Sequence, residues 1–196
     1  MSSPSPNRIQ GPDARRKLLS SKLSLLDALG SVQKYPRDVE LCQQGSTAKN
    51  VFVLEAGMMA LLHVGAYGQQ SIVGLRQEPW IVGAHCLLTQ QQFPVSVVTI
   101  SPCTVRMIPS AQFLEKWEHD REFSWTVQEL HCWDLQEHIH HCIGLTSESL
   151  RERLEEFIWE LAKTDQKPNC RVKLPLNRTQ LSQLLDISLP HLHTLL

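Results

Sequence analysis

Residues 174–196 read LPLNRTQLSQLLDISLPHLHTLL. Asn177 stands where a side-chain oxygen can cap a helix, Gln180 three residues later completes a capping-box spacing, and Leu181, Leu184 and Leu185 supply an apolar face. Asp186 to Ser188 then form a tight turn. Ser188 is a second cap, and Pro190 falls in the first turn of the next helix, where amide donors have no intrahelical acceptor. The spacing predicts two short helices around a turn. A helix-turn-helix and a generic αα-hairpin share this pattern, and periodicity leaves both open.

Upstream, RVKLPL alternates Val172, Leu174 and Leu176 as a short extended piece after a loop, DQKPNC. Before it, SESLRERLEEFIWELAKT places Leu150, Leu154, Phe157, Ile158 and Leu161 along one helical face, with Ser147 as its N-cap. The longest predicted helix, REFSWTVQELHCWDLQEHIHHCIGL, ends near Gly144, with a hinge expected between Gly144 and Ser147. Phe123, Val127, Leu130, Trp133 or Asp134, and Ile139 recur along it at mostly threes and fours, and such a stripe needs a cover. A partner helix across a two-fold axis supplies one; the chain's own upstream domain is the other. AQFLEKWEHD adds a short helix just before.

Between Tyr35 and Ile108 the texture is different. Short runs rich in Val, Ile and Leu (VELC, NVFVLE, MMALLHV, QSIVGL, WIVG, VSVVTI, TVRMI) are separated by turn material such as Gln43-Gln44-Gly45-Ser46 and Gly65-Ala66-Tyr67-Gly68. Short strands at this spacing predict an antiparallel barrel or sandwich, and their number suggests a jelly roll. At the N-terminus a Ser- and Pro-rich tail precedes ARRKLLSSKLSLLDALG, whose leucines predict a helical lead-in ending at Gly30.

The 196 residues, 42% hydrophobic and 20% charged, exclude a disordered or collagen-like chain, and a formal net charge of -1 argues against indiscriminate coating of nucleic acid. No stretch reaches the roughly 20 apolar residues of a membrane span, and the start lacks a signal peptide's apolar run, so a cytoplasmic location is expected. Six cysteines (Cys42, Cys86, Cys103, Cys132, Cys142 and Cys170) fall without any C-x-x-C, as reduced thiols do.

The 174–196 stretch resembles the part of the Crp/Fnr (cyclic-AMP receptor protein) family in which a short strand leads into a helix-turn-helix. The order of the upstream segments agrees: the turn at Gly45, NVFVLEAG ending at Gly57, a hairpin at Gly68, Gly83 before Leu87-Leu88, and FPVSVVTISPCTVRMIP. The resemblance covers about residues 30–196. It implies an α+β chain: an antiparallel β jelly-roll sensor domain (residues 30–117) after the tail and lead-in (1–29), a dimerisation helix (118–145), and a winged helix-turn-helix (146–196) that stops short of its wing at Leu196. It implies a homodimeric transcription regulator that binds double-stranded DNA and a small-molecule effector.

Two departures change what carries over. Family members that bind cyclic nucleotides hold the ribose with a Gly-Glu pair and the cyclic phosphate with Arg-Ser or Arg-Thr. Here Gly83 is followed by Ala84, and the phosphate positions fall at Phe93-Pro94 or Pro94-Val95, with only Ser96 nearby. Losing the cation removes a charge-assisted contact, so cyclic AMP or cyclic GMP is not the expected effector. The effector pocket is expected at Gly83, Ala84, His85, Pro94, Val95 and Ser96, with the effector unidentified.

In the recognition helix the resemblance places Leu189, Pro190 and Thr194 where relatives carry Arg, Glu and Arg, the usual readers of guanine and cytosine. Asn177, Arg178, Thr179 and Ser188, at helix N-termini, are the expected phosphate contacts, while Leu189, His191, His193 and Thr194 face the bases. A scaffold with a degenerate DNA-binding head is the rival reading.

Histidine raises two cofactor questions. His138 and Cys142 share a face at i, i+4, a spacing that can bind zinc, but two ligands do not make a site and a solvated helix face explains them; no metal is expected. His85 lies near the place where the family's haem-dependent sensor takes an iron ligand; a cofactor-free turn is the favoured alternative. No P-loop, GxGxxG, G-x-S-x-G or H-E-x-x-H occurs, and no enzyme is expected.

Overall fold

The structure, a computed structural model, describes residues 25–26, 28–147, 149–164 and 174–195. The N-terminal tail, most of the lead-in, the DQKPNC loop with Cys170, Val172 and Leu196 lie outside the described residues.

Eight strands form two four-stranded antiparallel sheets. They are β1 (Ser31–Tyr35), β2 (Glu40–Cys42), β3 (Asn50–Ala56), β4 (Met58–Val64), β5 (Gln70–Gln77), β6 (Trp80–Val82), β7 (Ser96–Thr99) and β8 (Cys103–Pro109). One sheet has the order β1-β8-β3-β6 and the other β2-β7-β4-β5. A short helix, α1 (Ala84–Thr89), interrupts the strands; α2 (Ser110–His119), α3 (Arg121–Ser147), α4 (Leu150–Thr164), α5 (Arg178–Leu185) and α6 (Leu189–Leu195) follow them. Among the described residues no helix is long and apolar enough to cross a membrane.

β3 explains the layering. Its run NVFVLE is apolar at consecutive positions because the strand is covered on both faces. Phe52 and Leu54 enter the barrel interior with Cys42, Met59, Trp80, Phe93 and Val97. Val51 and Val53 point outward and are covered by Phe113 of α2 and Phe123, Val127 and Leu130 of α3. The second sheet repeats the logic: Met59 fills the interior, while Met58, Ala60 and Ile72 on its outer face meet Leu154, Leu176, Leu181, Leu185 and Leu192. Helices therefore cap both outer faces of the jelly roll.

The expected dimer stripe is corrected here. Phe123 and Val127 are fully buried and Leu130 nearly so, all against the chain's own barrel. These residues are committed within the protomer, and only Ile139 of the expected set is exposed. The hinge expected near Gly144 is also displaced. Gly144 is buried and helical, and α3 continues to Ser147, with the Thr146 and Ser147 hydroxyls donating back to the carbonyls of Cys142 and Ile143. The next helix is opened by Ser149 instead of Ser147: Ser149 N donates to Glu152 Oε2 at 2.8 Å, and Ser149 Oγ accepts from Glu152 N at 3.3 Å.

Candidate functional site

The turn between β6 and β7 carries the residues expected to meet an effector. Gly83 opens α1 with φ of 91°, and a Cβ there would lie 2.8 Å from the carbonyl oxygen of Asn50. Only glycine fits, for conformation and for space. Ala84 is completely buried. Phe93, one of the expected phosphate positions, is buried; its ring would approach that same Cβ at 3.4 Å, and its backbone pairs with Gly45 and Ser46. Pro94 is exposed, Val95 half-buried, and buried Ser96 accepts a hydrogen bond from Gln44 N at 3.0 Å.

Residues 83–96 contain no Lys or Arg. The buried guanidiniums of β5 and β8 are engaged with carboxylates, Arg76 with Asp134 at 2.6 Å and Arg106 with Glu55 at 2.7 Å. His85 Nε2 lies 3.1 Å from Cys86 Sγ, its ring stands edge-on to His131 of α3 at 6.1 Å, and the barrel interior is packed by Phe52, Leu54, Met59, Phe93 and Val97. His85 thus faces the long helix.

What His85 and His131 do form is a polar contact between the α1 turn and α3. Burial lowers the pKa of His131, the neighbouring His85 lowers it further, and Asp134 opposes both. Burial also lowers that of His85, against the pull of Asp134, although part of the ring meets solvent. Both are therefore neutral near pH 7. One turn along α3, Asp134 Oδ1 accepts from Arg76 Nε at 2.6 Å and Trp80 Nε1 at 3.1 Å, while Arg76 lies over the Trp80 ring. The α1 turn thus meets the long helix at a ring edge, and β5 and β6 meet it at the shared Asp134 carboxylate.

The opposite face of α3 is open. Trp125 is 61% exposed, Leu135 59%, Ile139 48% and Ile143 53%, and Cys132 and Cys142 are exposed between them. Trp125, Cys132 and Ile139 are seven residues apart, with Leu135 and Cys142 interleaved, so they follow the a and d positions of a heptad. Sequence periodicity picked out the other stripe.

At the C-terminus the expected capping box is present. Asn177 Oδ1 accepts from Gln180 N at 2.8 Å, and Gln180 Oε1 accepts from Asn177 N at 3.0 Å. Asp186, in the left-handed region with φ of 54°, ends α5, and Ser188 Oγ accepts from His191 N at the start of α6. Leu181, Leu185 and Leu192 are buried. Asn177, Arg178, Thr179, Ser188, Leu189, His191, His193 and Thr194 are all exposed. Arg37, on the turn after β1, ties this unit to the barrel: Nη1 donates to the Pro175 carbonyl at 2.5 Å and Nη2 to Gln180 Oε1 at 2.8 Å.

A jelly roll with a glycine-capped short helix between its sixth and seventh strands and a long helix laid across one sheet defines a class, and residues 32–120 match the family model of the cyclic nucleotide-binding domain. No curated protein matches the chain in sequence. Solved structures extend the likeness of fold beyond the barrel to regulators of the Crp/Fnr type. CLP, described as a c-di-GMP-responsive global regulator of Xanthomonas campestris, superposes with a TM-score of 0.72 at 13% identity, over 90% of this chain and 89% of its own. FixK2 from Bradyrhizobium japonicum gives 0.72 at 15% identity, over 85% and 82%. TTHB099, a CRP-family transcriptional regulator from Thermus thermophilus, gives 0.70 at 13%, over 83% and 81%.

Proposed function

We propose that the chain is a Crp/Fnr-like transcription regulator that works as a homodimer on double-stranded DNA. The observation that carries this reading is the exposed set on α5 and α6. Two capped helices, held from below by Leu181, Leu185 and Leu192, present Asn177, Arg178, Thr179, Ser188, His191, His193 and Thr194 to solvent together. Helix N-termini and short polar side chains suit phosphate contacts, and the two imidazoles suit base edges.

The exposed α3 seam supports the homodimer. Its occupant is a second copy of the same seam. The a and d positions from Trp125 to Thr146 carry no formal charge, so like faces meet without repulsion. At 1.5 Å per residue they run for about 33 Å. A paired strip of that length, with Trp125, Leu135 and Ile139 along it and Ile143 at its edge, is on the scale of the roughly 800 Å² per partner of a stable interface. The two heads would then meet a pseudo-palindromic site.

The effector is a small molecule other than cyclic AMP or cyclic GMP. It acts at the α1 turn, which the His85–His131 contact couples to α3, shifting the population of head spacings. Responsiveness to c-di-GMP belongs to CLP and is one ligand to test. No resident cofactor or metal enters this reading, nor does any catalysed reaction; the protein would act in the cytoplasm.

One feature favours the rival scaffold reading: among the described residues of α5 and α6 Arg178 is the sole Lys or Arg, and Pro190 stands in the reading helix. Footprinting against genomic fragments over a salt series decides. Discrete symmetric sites support the regulator; salt-sensitive binding without sequence preference, or none, supports the scaffold.

A further inference from the structure

We infer that Cys132 and Cys142 are sites of reversible oxidative cross-linking between two copies of the chain. The inference rests on the α3 pairing just proposed and adds a chemistry to it. Among the described residues the cysteines divide sharply into two groups. Cys42, Cys86 and Cys103 are buried in the barrel interior, where desolvation raises all three thiols and pushes Cys42 up to about 12. Cys132 and Cys142 are exposed on α3, in line with the exposed Trp125, Leu135 and Ile139.

Their positions decide what they meet. With Trp125 at an a position, Cys132 is the next a and Cys142 the second d after it. In a parallel pair about a two-fold axis, a meets a and d meets d, so each cysteine faces its own copy. Packed helices lie about 8–10 Å apart with Cα atoms on cylinders of about 2.3 Å radius, which brings facing Cα atoms close to the roughly 4.4–6.8 Å that a disulfide spans. The seam supplies reach and alignment without any movement of the barrel.

The oxidant is a hydroperoxide. The thiolate of one cysteine attacks the peroxide, an S–O bond forms as the O–O bond breaks, and hydroxide leaves and takes up the thiol's proton as water. The partner's thiolate then attacks the sulfenic sulfur; the S–S bond forms, the S–O bond breaks, and a second water leaves. Two thiols and one hydrogen peroxide give one disulfide and two waters. A dithiol reverses it by exchange.

The test uses the full chain in two arms. Sedimentation of the reduced protein reads the pairing itself, and a non-reducing denaturing gel after hydrogen peroxide treatment, with peptide mass spectrometry, reads the cysteines. The expected result is a reduced dimer and, after peroxide, a band at twice the chain's 22.3 kDa. That band should carry Cys132–Cys132 or Cys142–Cys142 links, collapse with dithiothreitol, and vanish in the Cys132→Ser/Cys142→Ser double variant. A monomer on sedimentation overturns the α3 pairing. A dimer that gives no doubled band, a band that survives the double variant, or a Cys132–Cys142 link overturns the cysteine inference alone.

Discussion

Asp134, in the middle of α3, accepts a hydrogen bond from Arg76 at the end of β5 at 2.6 Å, and with it binds the long helix to the barrel. The guanidinium side chain is 8% exposed and the carboxylate 32%. An ion pair so placed contributes little net free energy, but removing one partner strands the other.

Asp134→Ala is therefore expected to lower stability by about 3–5 kcal/mol, because Arg76 stays buried without its carboxylate. Asp134→Leu combined with Arg76→Leu should cost much less than the sum of the single changes. Urea denaturation of the four-member cycle measures the coupling; additivity would mean the contact does not hold the helix.

Gly83→Ala meets two penalties. A left-handed backbone costs a non-glycine residue about 1–2 kcal/mol, and the new Cβ would press on Asn50 O at 2.8 Å. A loss of at least about 2 kcal/mol is expected, with perturbation of the α1 turn visible as faster amide exchange in residues 83–93.

The lowered imidazoles of His85, His131 and His141 predict a pH slope. All three have folded pKa values below their unfolded value near 6.5, so the unfolded chain binds protons first. Stability is complete above pH about 6.5 and falls as pH drops from there toward the folded values. The lowered carboxylates of Asp120 and Glu152 act only in more acid solution, below their unfolded range near pH 4. His131→Phe should flatten the thermal-melt slope between pH 7.5 and 5.5; an unchanged slope refutes the assignment.

The two faces of α3 should respond differently. Leu130→Ala opens a hole against the barrel and is expected to cost about 2–5 kcal/mol in any oligomeric state. Leu135→Asp, on the exposed seam, should leave protomer folding nearly intact while sedimentation shows dissociation to monomers.

Arg37→Ala removes two hydrogen bonds to the Pro175–Gln180 segment. A cost of about 1–3 kcal/mol is expected, and hydrogen exchange across residues 177–195 should accelerate several-fold, while the barrel strands keep their protection.

Much of this was legible in the sequence. The strand runs and their turns pointed to the jelly roll because apolar residues recur at short spacing, and the Asn177–Gln180 box was readable because capping is local. β1 was missed because SVQKY is largely exposed and shows no alternation of buried residues. α1 was missed because six residues after a left-handed glycine carry no helical period. The error on α3 has a different cause. Phe123, Val127 and Leu130 and the set containing Trp125, Leu135 and Ile139 both recur at helical spacing. Which one turns inward depends on Val51, Val53, Ile81 and Ile108, strand residues far away in the chain. Nor could periodicity foresee Arg37 reaching Gln180, 143 positions later.

Among the described residues the C-terminal helices share their apolar interior with the barrel. Leu181, Leu185 and Leu192 are roofed by helices, but their floor is Met58, Ala60, Ile72 and Ile100 of the jelly roll. Lifting the head would wet the barrel's outer sheet as well as the leucines, so head and barrel cannot melt independently. Calorimetry should record one endotherm for what the chain's outline divides into two domains.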